Sequence, residues 1–384
     1  MIDYQTIEDQ YSLPLFPKRG ITLVKGKNAR LWDDKGNEYI DCMAGQGVVS
    51  IGHCNEKVTK AVVDQVQKLI TCTGSFYSDQ RALLVKKLVD ITPENLKKVF
   101  LCNSGAESVE AAIKFARLST GKTEFICAMR SFHGRTMGAL SATFNPKYRE
   151  PFEPLIPGFQ FVPYNNFRKL KEKVNNKTAA IMLEVVQGEG GVHIGDADYF
   201  KQVSNFCKEN NILLIIDEVQ TGFCRTGKMF ASEHFNLQPD ILCLAKAMAG
   251  GLPIGAVLCS DKIEVSFGNH GTTFGGNPLV AAAANAAIDF MIEEKLADQA
   301  KEKGDYFAEK FSKIGLEKVR EFRQIGLMIG IELKEKVQPY INTLQEKGVL
   351  VIPAGVTVLR LLPPLTISKE ELDIAIEKIR DTLS

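Results

Sequence analysis

The sequence predicts an α/β protein: a large domain on a mainly parallel sheet, followed by a smaller α+β domain. Three observations carry that expectation. Short apolar runs recur through the middle of the chain, and several are apolar throughout, as strands buried on both faces are. Helical patterns separate these runs, which is how parallel strands are connected. Beyond about residue 285 the pattern changes to strands punctuated by glycine. A chain of 384 residues has room for both parts.

Taken in order, strands are expected at Val99–Cys102, Glu124–Ala128, Ala179–Glu184, Leu213–Asp217, Ile241–Leu244 and Ala256–Ser260. Helices are expected over Glu107–Leu118 and Ala197–Asn210 between them. One long helical stretch, Pro278–Lys303, then leads to strands at Gly326–Leu333, Gly348–Ile352 and Val358–Leu362. A final helix starts at Ser368, with Glu371 three residues on to complete a capping box. The expected division is 1–40 as an N-terminal segment associated with the small domain, 41–285 as the large domain and 286–384 as the small one. No fixed-period repeat or low-complexity tract interrupts it.

Composition narrows the function. Lysine and arginine number 47 against 46 acidic residues, a net charge of +1, which argues against a nucleic-acid binder working by bulk positive charge. At 45% hydrophobic the chain is too apolar to be disordered. No apolar run approaches the ~18 residues of a membrane span. The opening MIDYQTIEDQ has neither a basic nor an apolar region, so no secretory signal is expected. The nine cysteines are odd in number and contain no CxxC pair. Cys102, Cys243 and Cys259 lie in apolar runs and read as buried thiols, and the expected compartment is the reducing cytosol. The five histidines form no HExxH cluster, so no metal is expected; His53 reads as packing or capping.

Two phosphate-binding patterns compete. ARLSTGKT (Ala116–Thr123) fits a relaxed Walker A loop, and LLIIDE (Leu213–Glu218) resembles a Walker B strand, which together suggest an ATPase. The order is wrong for one. A phosphate loop runs from strand to helix, whereas this GKT closes a helix and precedes a strand, with Gly121 as a helix cap. Val99–Cys102 followed by Asn103-Ser104-Gly105-Ala106 has the right order, and the helix start offers free N–H groups and a hydroxyl to an anion. Taken alone, Ser104 is more simply a helix cap. Asp217 ends one apolar strand and Lys246 follows another, at the strand ends where open α/β sheets bind ligands. A lysine in the apolar, glycine-flanked LAKAMAGGLPIGA can act as an amine nucleophile, and an acidic residue near it suits a pyridinium nitrogen.

Longer blocks around these residues carry a family resemblance. They are IIDEVQTGFCRTGKMFASEHFNLQPDILCLAKAMAGGLPIGA from Ile215, HGTTFGGNPL from His270 and EVVQGEGGV from Glu184. The sequence resembles the class III pyridoxal-phosphate aminotransferases of fold type I, from LWDDKGNEYIDCMAG at Leu31 to LRLLPPLTIS at Leu359. Within them it is most similar to the acetylornithine aminotransferase group and its lysine-biosynthetic relatives. The resemblance implies an aspartate-aminotransferase-like fold and pyridoxal 5′-phosphate as cofactor. It also implies a homodimer whose site is shared between subunits.

Residue by residue, the resemblance makes Lys246 the Schiff-base lysine and proton shuttle, and Asp217 the partner of the pyridine nitrogen. Ser104, Gly105 and Ala106 would hold the phosphate, with Thr273 reaching it from the partner subunit. Phe132 and Val219 would cover the two ring faces, and Gln220 would lie near the ring hydroxyl. Arg135 would bind a substrate carboxylate and Arg360 the α-carboxylate of glutamate. Glu189 would neutralise Arg360 when an ω-amine is bound, and Thr272 would belong to the substrate region. His133 reads as structural.

Two segments depart from the family pattern. EPIQGE is here EVVQGE, and Gln46 stands where members often carry tyrosine or an aliphatic residue facing the distal end of the substrate. The implied reaction is ping-pong transfer of an ω-amino group to 2-oxoglutarate, giving glutamate. A donor whose α-amino group is blocked fits best, because blocking stops the product semialdehyde from cyclising. Lysine or ornithine carried by the acidic protein LysW is the first expectation, which would place the enzyme in lysine or arginine biosynthesis. N2-acetylornithine, and then 4-aminobutyrate or free ornithine, are the alternatives. Lys18, Arg19, Lys25 and Lys27 form a basic cluster expected near the entrance, where they would attract an acidic carrier.

Overall fold

The computed structural model describes residues 2–313 and 315–384. Seven strands form the central sheet: β1 (Leu96–Cys102), β2 (Glu124–Ala128), β3 (Phe159–Val162), β4 (Thr178–Glu184), β5 (Leu213–Asp217), β6 (Ile241–Leu244) and β7 (Gly255–Ser260). Their order across the sheet is β1-β7-β6-β5-β4-β2-β3. Every residue of β4, β5, β6 and β7 is buried. Alternate side chains leave the sheet on opposite faces. Leu213 and Ile215 meet the helix Gly105–Thr120 in one core cluster, while Leu214 and Ile216 join Phe200 and Val203 of Ala197–Glu209 in the other.

The sheet is parallel except at β7, which runs antiparallel to both β6 and β1. The reason is length. About ten residues separate β6 from β7, too few for the dozen or more that a parallel crossover needs. The reversal brings the start of β7 level with the ends of β1 and β6. Gly255 pairs with Cys102, Ala256 with Leu244, Cys243 with Asp217, and Asp217 with Glu184. One edge of the sheet therefore gathers several strand ends.

A second, antiparallel sheet follows, in the order Val319–Ile325, Met328–Leu333, Val358–Leu361, Ile352–Ala354. The chain start joins the chain end: Glu38–Asp41 pairs in parallel with Val349–Leu350. Three expectations need correction. Pro278–Lys303 is not one helix but two, Pro278–Glu293 and Leu296–Ser312, broken where Lys295 takes a left-handed φ of 51°. Gly348–Ile352 divides between two sheets. The strands Phe159–Val162 and Val319–Ile325 were not expected, both being only partly buried and so lacking the fully apolar signature. The last helix, Lys369–Leu383, does start on the Ser368–Glu371 capping box.

Candidate active site

The strand ends open into a cavity of about 500 Å³ lined by residues at the ends of the large sheet's strands and in the loops that follow them. Of the expected residues, Ser104, Gly105, Ala106, Phe132, Arg135, Glu189, Asp217, Val219, Gln220 and Lys246 all line it. Asp217 ends β5, with its carboxylate buried and doubly held. Its Oδ1 accepts the Val219 N–H at 2.9 Å, and its Oδ2 lies 2.7 Å from His133 Nδ1. Lys246 follows β6 with φ 40°, a strained left-handed conformation for a side chain of this size. Burial pushes its ammonium down from the usual lysine range, opposed by Glu189, Asp217 and Glu184 nearby.

Gly105 opens the helix after β1. A Cβ there would lie 2.6 Å from Val219 Cγ1, so only glycine lets this backbone come so close under the valine. Ser104 accepts the Glu107 N–H at 3.2 Å and is thus the cap of this helix. First-turn N–H groups such as those of Gly105 and Ala106 have no acceptor within their own helix, and both residues line the cavity. Glu189 and the buried Arg360 form an ion pair, Nη2 to Oε1 at 2.7 Å, and Arg360 Nη1 donates to Gln220 Oε1 at 2.9 Å. Arg360 is 1% exposed, whereas Glu189 is only half-buried and keeps one side toward the cavity. Burial raises the Glu189 carboxyl, but Arg360 and Lys246 outweigh it and leave it below the usual range.

Four expected residues do not line the cavity, Arg360 reaching it only through Glu189 and Gln220. Thr272 and Thr273 line a neighbouring hollow of about 300 Å³, joined to the first through Asn103, which donates to Thr272 Oγ1 at 3.1 Å. Gln46 is exposed on a left-handed turn, Ala44–Gly47, and does not line the cavity; Val48 does. The basic cluster is largely engaged. Lys18 pairs with Glu8 and Asp9, Arg19 donates to the Val351 carbonyl, and Lys25 lies over the Trp32 ring. His53 bonds Asp41, as a packing histidine would. Among the described residues there is no cluster able to hold a metal and no helix long and apolar enough to cross a membrane.

Two site residues escaped sequence reasoning. His133, read only as structural, bonds Asp217. Glu184 ends β4 directly beside Asp217 and accepts the Phe132 N–H at 3.2 Å. Burial, then Asp217, pushes its carboxyl well above the usual range. Its place at the end of an apolar strand was the available signal. Glu218, the other acid of LLIIDE, turns away and accepts the N–H groups of Ala231 and Ser232 and the Thr221 hydroxyl. It holds a turn and faces no phosphate.

Known proteins resemble this chain in sequence and fold. The model of the aminotransferase class-III family matches residues 16–383. The chain is 46% identical over 371 residues to the LysW-aminoadipate semialdehyde transaminase of Deinococcus radiodurans, covering 95% of this chain and 86% of that one. It is also 46% identical over 382 residues to the acetylornithine aminotransferase of Methanothermobacter thermautotrophicus, covering 98% and 97%. Among solved structures, the ornithine aminotransferase of Toxoplasma gondii superposes with a TM-score of 0.95 at 33% identity, covering 99% and 94%. The acetylornithine aminotransferase of Elizabethkingia anophelis does so at 0.88 and 32%, covering 99% and 98%. The residues fit the family's cofactor, with a part-desolvated lysine, a buried carboxylate and a helix start kept open by Gly105 around one cavity. The chain belongs to the class III aminotransferases and is a pyridoxal-phosphate-dependent enzyme of that family.

Proposed function

We propose that this enzyme moves the ω-amino group of an N2-blocked diamino acid to 2-oxoglutarate, and that the residues named above carry the steps. The observation that carries the reading is the ion pair between Glu189, which lines the cavity, and the buried Arg360 behind it. The site must take glutamate, which has an α-carboxylate for Arg360, and an ω-amine, which offers that guanidinium nothing. A buried guanidinium left alone is costly, so a movable carboxylate partner lets one site serve both substrates. Bound pyridoxal phosphate supplies an electrophilic carbon for the amine and an electron-withdrawing ring. Asp217, oriented by His133 and the Val219 N–H, keeps a proton on the ring nitrogen. Lys246 holds the cofactor and then moves the proton at the substrate carbon, for which its depressed basicity suits it. The N–H groups of Gly105 and Ala106 receive the phosphate. Phe132 and Val219, which line the cavity, would cover the two faces of the ring and keep water out.

The enzyme works in the cytoplasm as a homodimer in which Thr273 of the partner subunit completes the phosphate site. Thr273 stands outside the Lys246 cavity of its own chain, and Phe274 beside it is exposed, as are Phe76, Tyr77 and Phe267. The donor we place first is lysine or ornithine linked to the carrier protein LysW, as the name of the Deinococcus relative suggests. N2-acetylornithine is the second reading. It is favoured by the engagement of Lys18 and Arg19, which leaves fewer free cations to draw an acidic carrier. The test is a donor panel with 2-oxoglutarate at low and high salt. A carrier-linked donor should be used far more efficiently than N2-acetylornithine, with that advantage shrinking as salt rises. Equal use without salt dependence removes the carrier. Equal use of 4-aminobutyrate or free ornithine removes the blocked donor altogether.

A further inference from the structure

The two arginines of this reading stand in opposite settings. Arg360 is buried and donates to Glu189 and Gln220. Arg135 is exposed at the cavity wall and, among the described residues, makes no hydrogen bond or ion pair. It is not loose, however. Its guanidinium carbon lies 3.5 Å from the centroid of the Tyr148 ring and 5.7 Å from that of Phe132.

An aromatic face and a carboxylate hold an arginine differently. A carboxylate occupies the in-plane N–H donors, and a ligand must displace it. A ring stacks on the guanidinium plane and leaves all five donors pointing outward. Arg360 needs the first kind of partner because its ligand alternates. Arg135 has the second, which suits a carboxylate arm present in every substrate.

Tyr148 is itself fixed. It lies in the short turn Pro146–Arg149, capped by Asn145, whose Oδ1 accepts the Lys147 N–H and whose carbonyl accepts the Tyr148 N–H at 3.0 Å. The next residue, Arg149, anchors the turn by donating to the Thr143 carbonyl at 3.3 Å. The Tyr148 ring meets Phe132 edge-on, with centroids 6.0 Å apart at 82°, and Phe132 is tied to Glu184 at the sheet edge. A continuous packed path thus runs from the sheet to the guanidinium.

We propose that Tyr148 is a positioning residue that sets specificity: by stacking on Arg135 it keeps that arginine aimed, with its donors free, at the distal carboxylate of the substrate. The role rests on Arg135 being the carboxylate arm described above. The holoenzyme can be tested by single-turnover kinetics with L-glutamate and with L-norvaline, which has the same chain with a methyl in place of the distal carboxylate. Tyr148→Leu keeps bulk but removes the π face; Tyr148→Phe keeps the face and loses the hydroxyl. The glutamate-to-norvaline ratio should fall about fivefold or more in Tyr148→Leu, through weaker glutamate binding rather than a slower maximal rate, and stay within about twofold in Tyr148→Phe. Calorimetric titration with glutarate, which has no amine to transfer, should show the same loss in Kd. The idea is overturned if Tyr148→Leu keeps the ratio and the glutarate affinity, or if Tyr148→Phe loses as much as Tyr148→Leu. Arg135→Leu separates the two levels. If it keeps the glutamate preference, the carboxylate arm is elsewhere and Tyr148 loses its role with it. If Arg135→Leu abolishes the preference while Tyr148→Leu retains it, the proposal alone fails.

Discussion

Three side chains of the cavity lead to sharp expectations. Lys246→Ala should still bind the cofactor but lose nearly all turnover, and borohydride reduction of the parent should tag the Lys246 peptide alone. A tag on another lysine would end that assignment. Glu189→Ala should improve the glutamate half-reaction relative to the ω-amine half-reaction, since Arg360 is freed for a carboxylate while Gln220 still steadies it. Stopped-flow measurement of both halves decides this, and equal losses would count against the switch. Glu184 predicts a pH effect. Its folded carboxyl sits above the unfolded value of about 4.5, so the folded state binds more protons across that window, and stability falls as pH rises through it. Glu184→Gln mimics the neutral acid and removes that slope. The melting temperature of the variant relative to the parent should rise from about pH 5 to about pH 8. A difference that stays flat with pH would show that Glu184 is ionised in the fold.

At the scale of elements, local signals and close approaches disagree at Gly105. Alanine is the better helix former by about 1 kcal/mol, so propensity alone favours Gly105→Ala. The 2.6 Å approach of Val219 reverses that preference. Gly105→Ala should displace Val219 or the helix start and weaken cofactor binding about tenfold by equilibrium dialysis, a shift of about 1.4 kcal/mol. Adding Val219→Ala should recover part of it. No recovery would mean that the clash is not the cause. Elsewhere the local signals and the structure agree. Gly121, read as a helix cap, has φ 66° and closes Gly105–Thr120, which is why the GKT beside it is no phosphate loop. Cys102 and Cys259, read as buried thiols, are pushed up to about 12 by burial and are inert at neutral pH.

Across the whole molecule, Arg225 ties distant segments together. Its fully buried guanidinium donates to the carbonyls of Leu327 and Pro363 and to Ser50 Oγ, at 3.0, 2.6 and 3.0 Å. Burial pushes it down to about 9, and among the described residues no carboxylate forms an ion pair with it. Arg225→Met fills similar space but leaves those acceptors unsatisfied. It should cost about 2–4 kcal/mol, read as a lower midpoint in denaturant titration, because each hydrogen bond to a charged group contributes about 1.5–3 kcal/mol. A loss below about 1 kcal/mol would show that water replaces the guanidinium. The parallel pairing of Glu38–Asp41 with Val349–Leu350 joins chain start to chain end in the same way.

The sequence by itself determined what local periodicity and residue chemistry can encode. The runs β4, β5 and β6 are legible because burial on both faces demands unbroken apolar residues. Asp217 and Lys246 are legible because a polar residue closing such a run stands out, and the surrounding blocks are specific enough to name a family. Partly buried strands such as Val319–Ile325 carry no comparable signature. The direction of β7 depends on connection length and pairing, which its own residues do not record. Only the tertiary structure could decide that His133 meets Asp217 across 84 residues of chain, that Gln220 meets Arg360 across 140, or that Tyr148 stacks on Arg135. Those contacts are made when separate loops converge on one sheet edge. A side chain's partner is then set by where its loop lands, and nothing in its sequence neighbourhood specifies that.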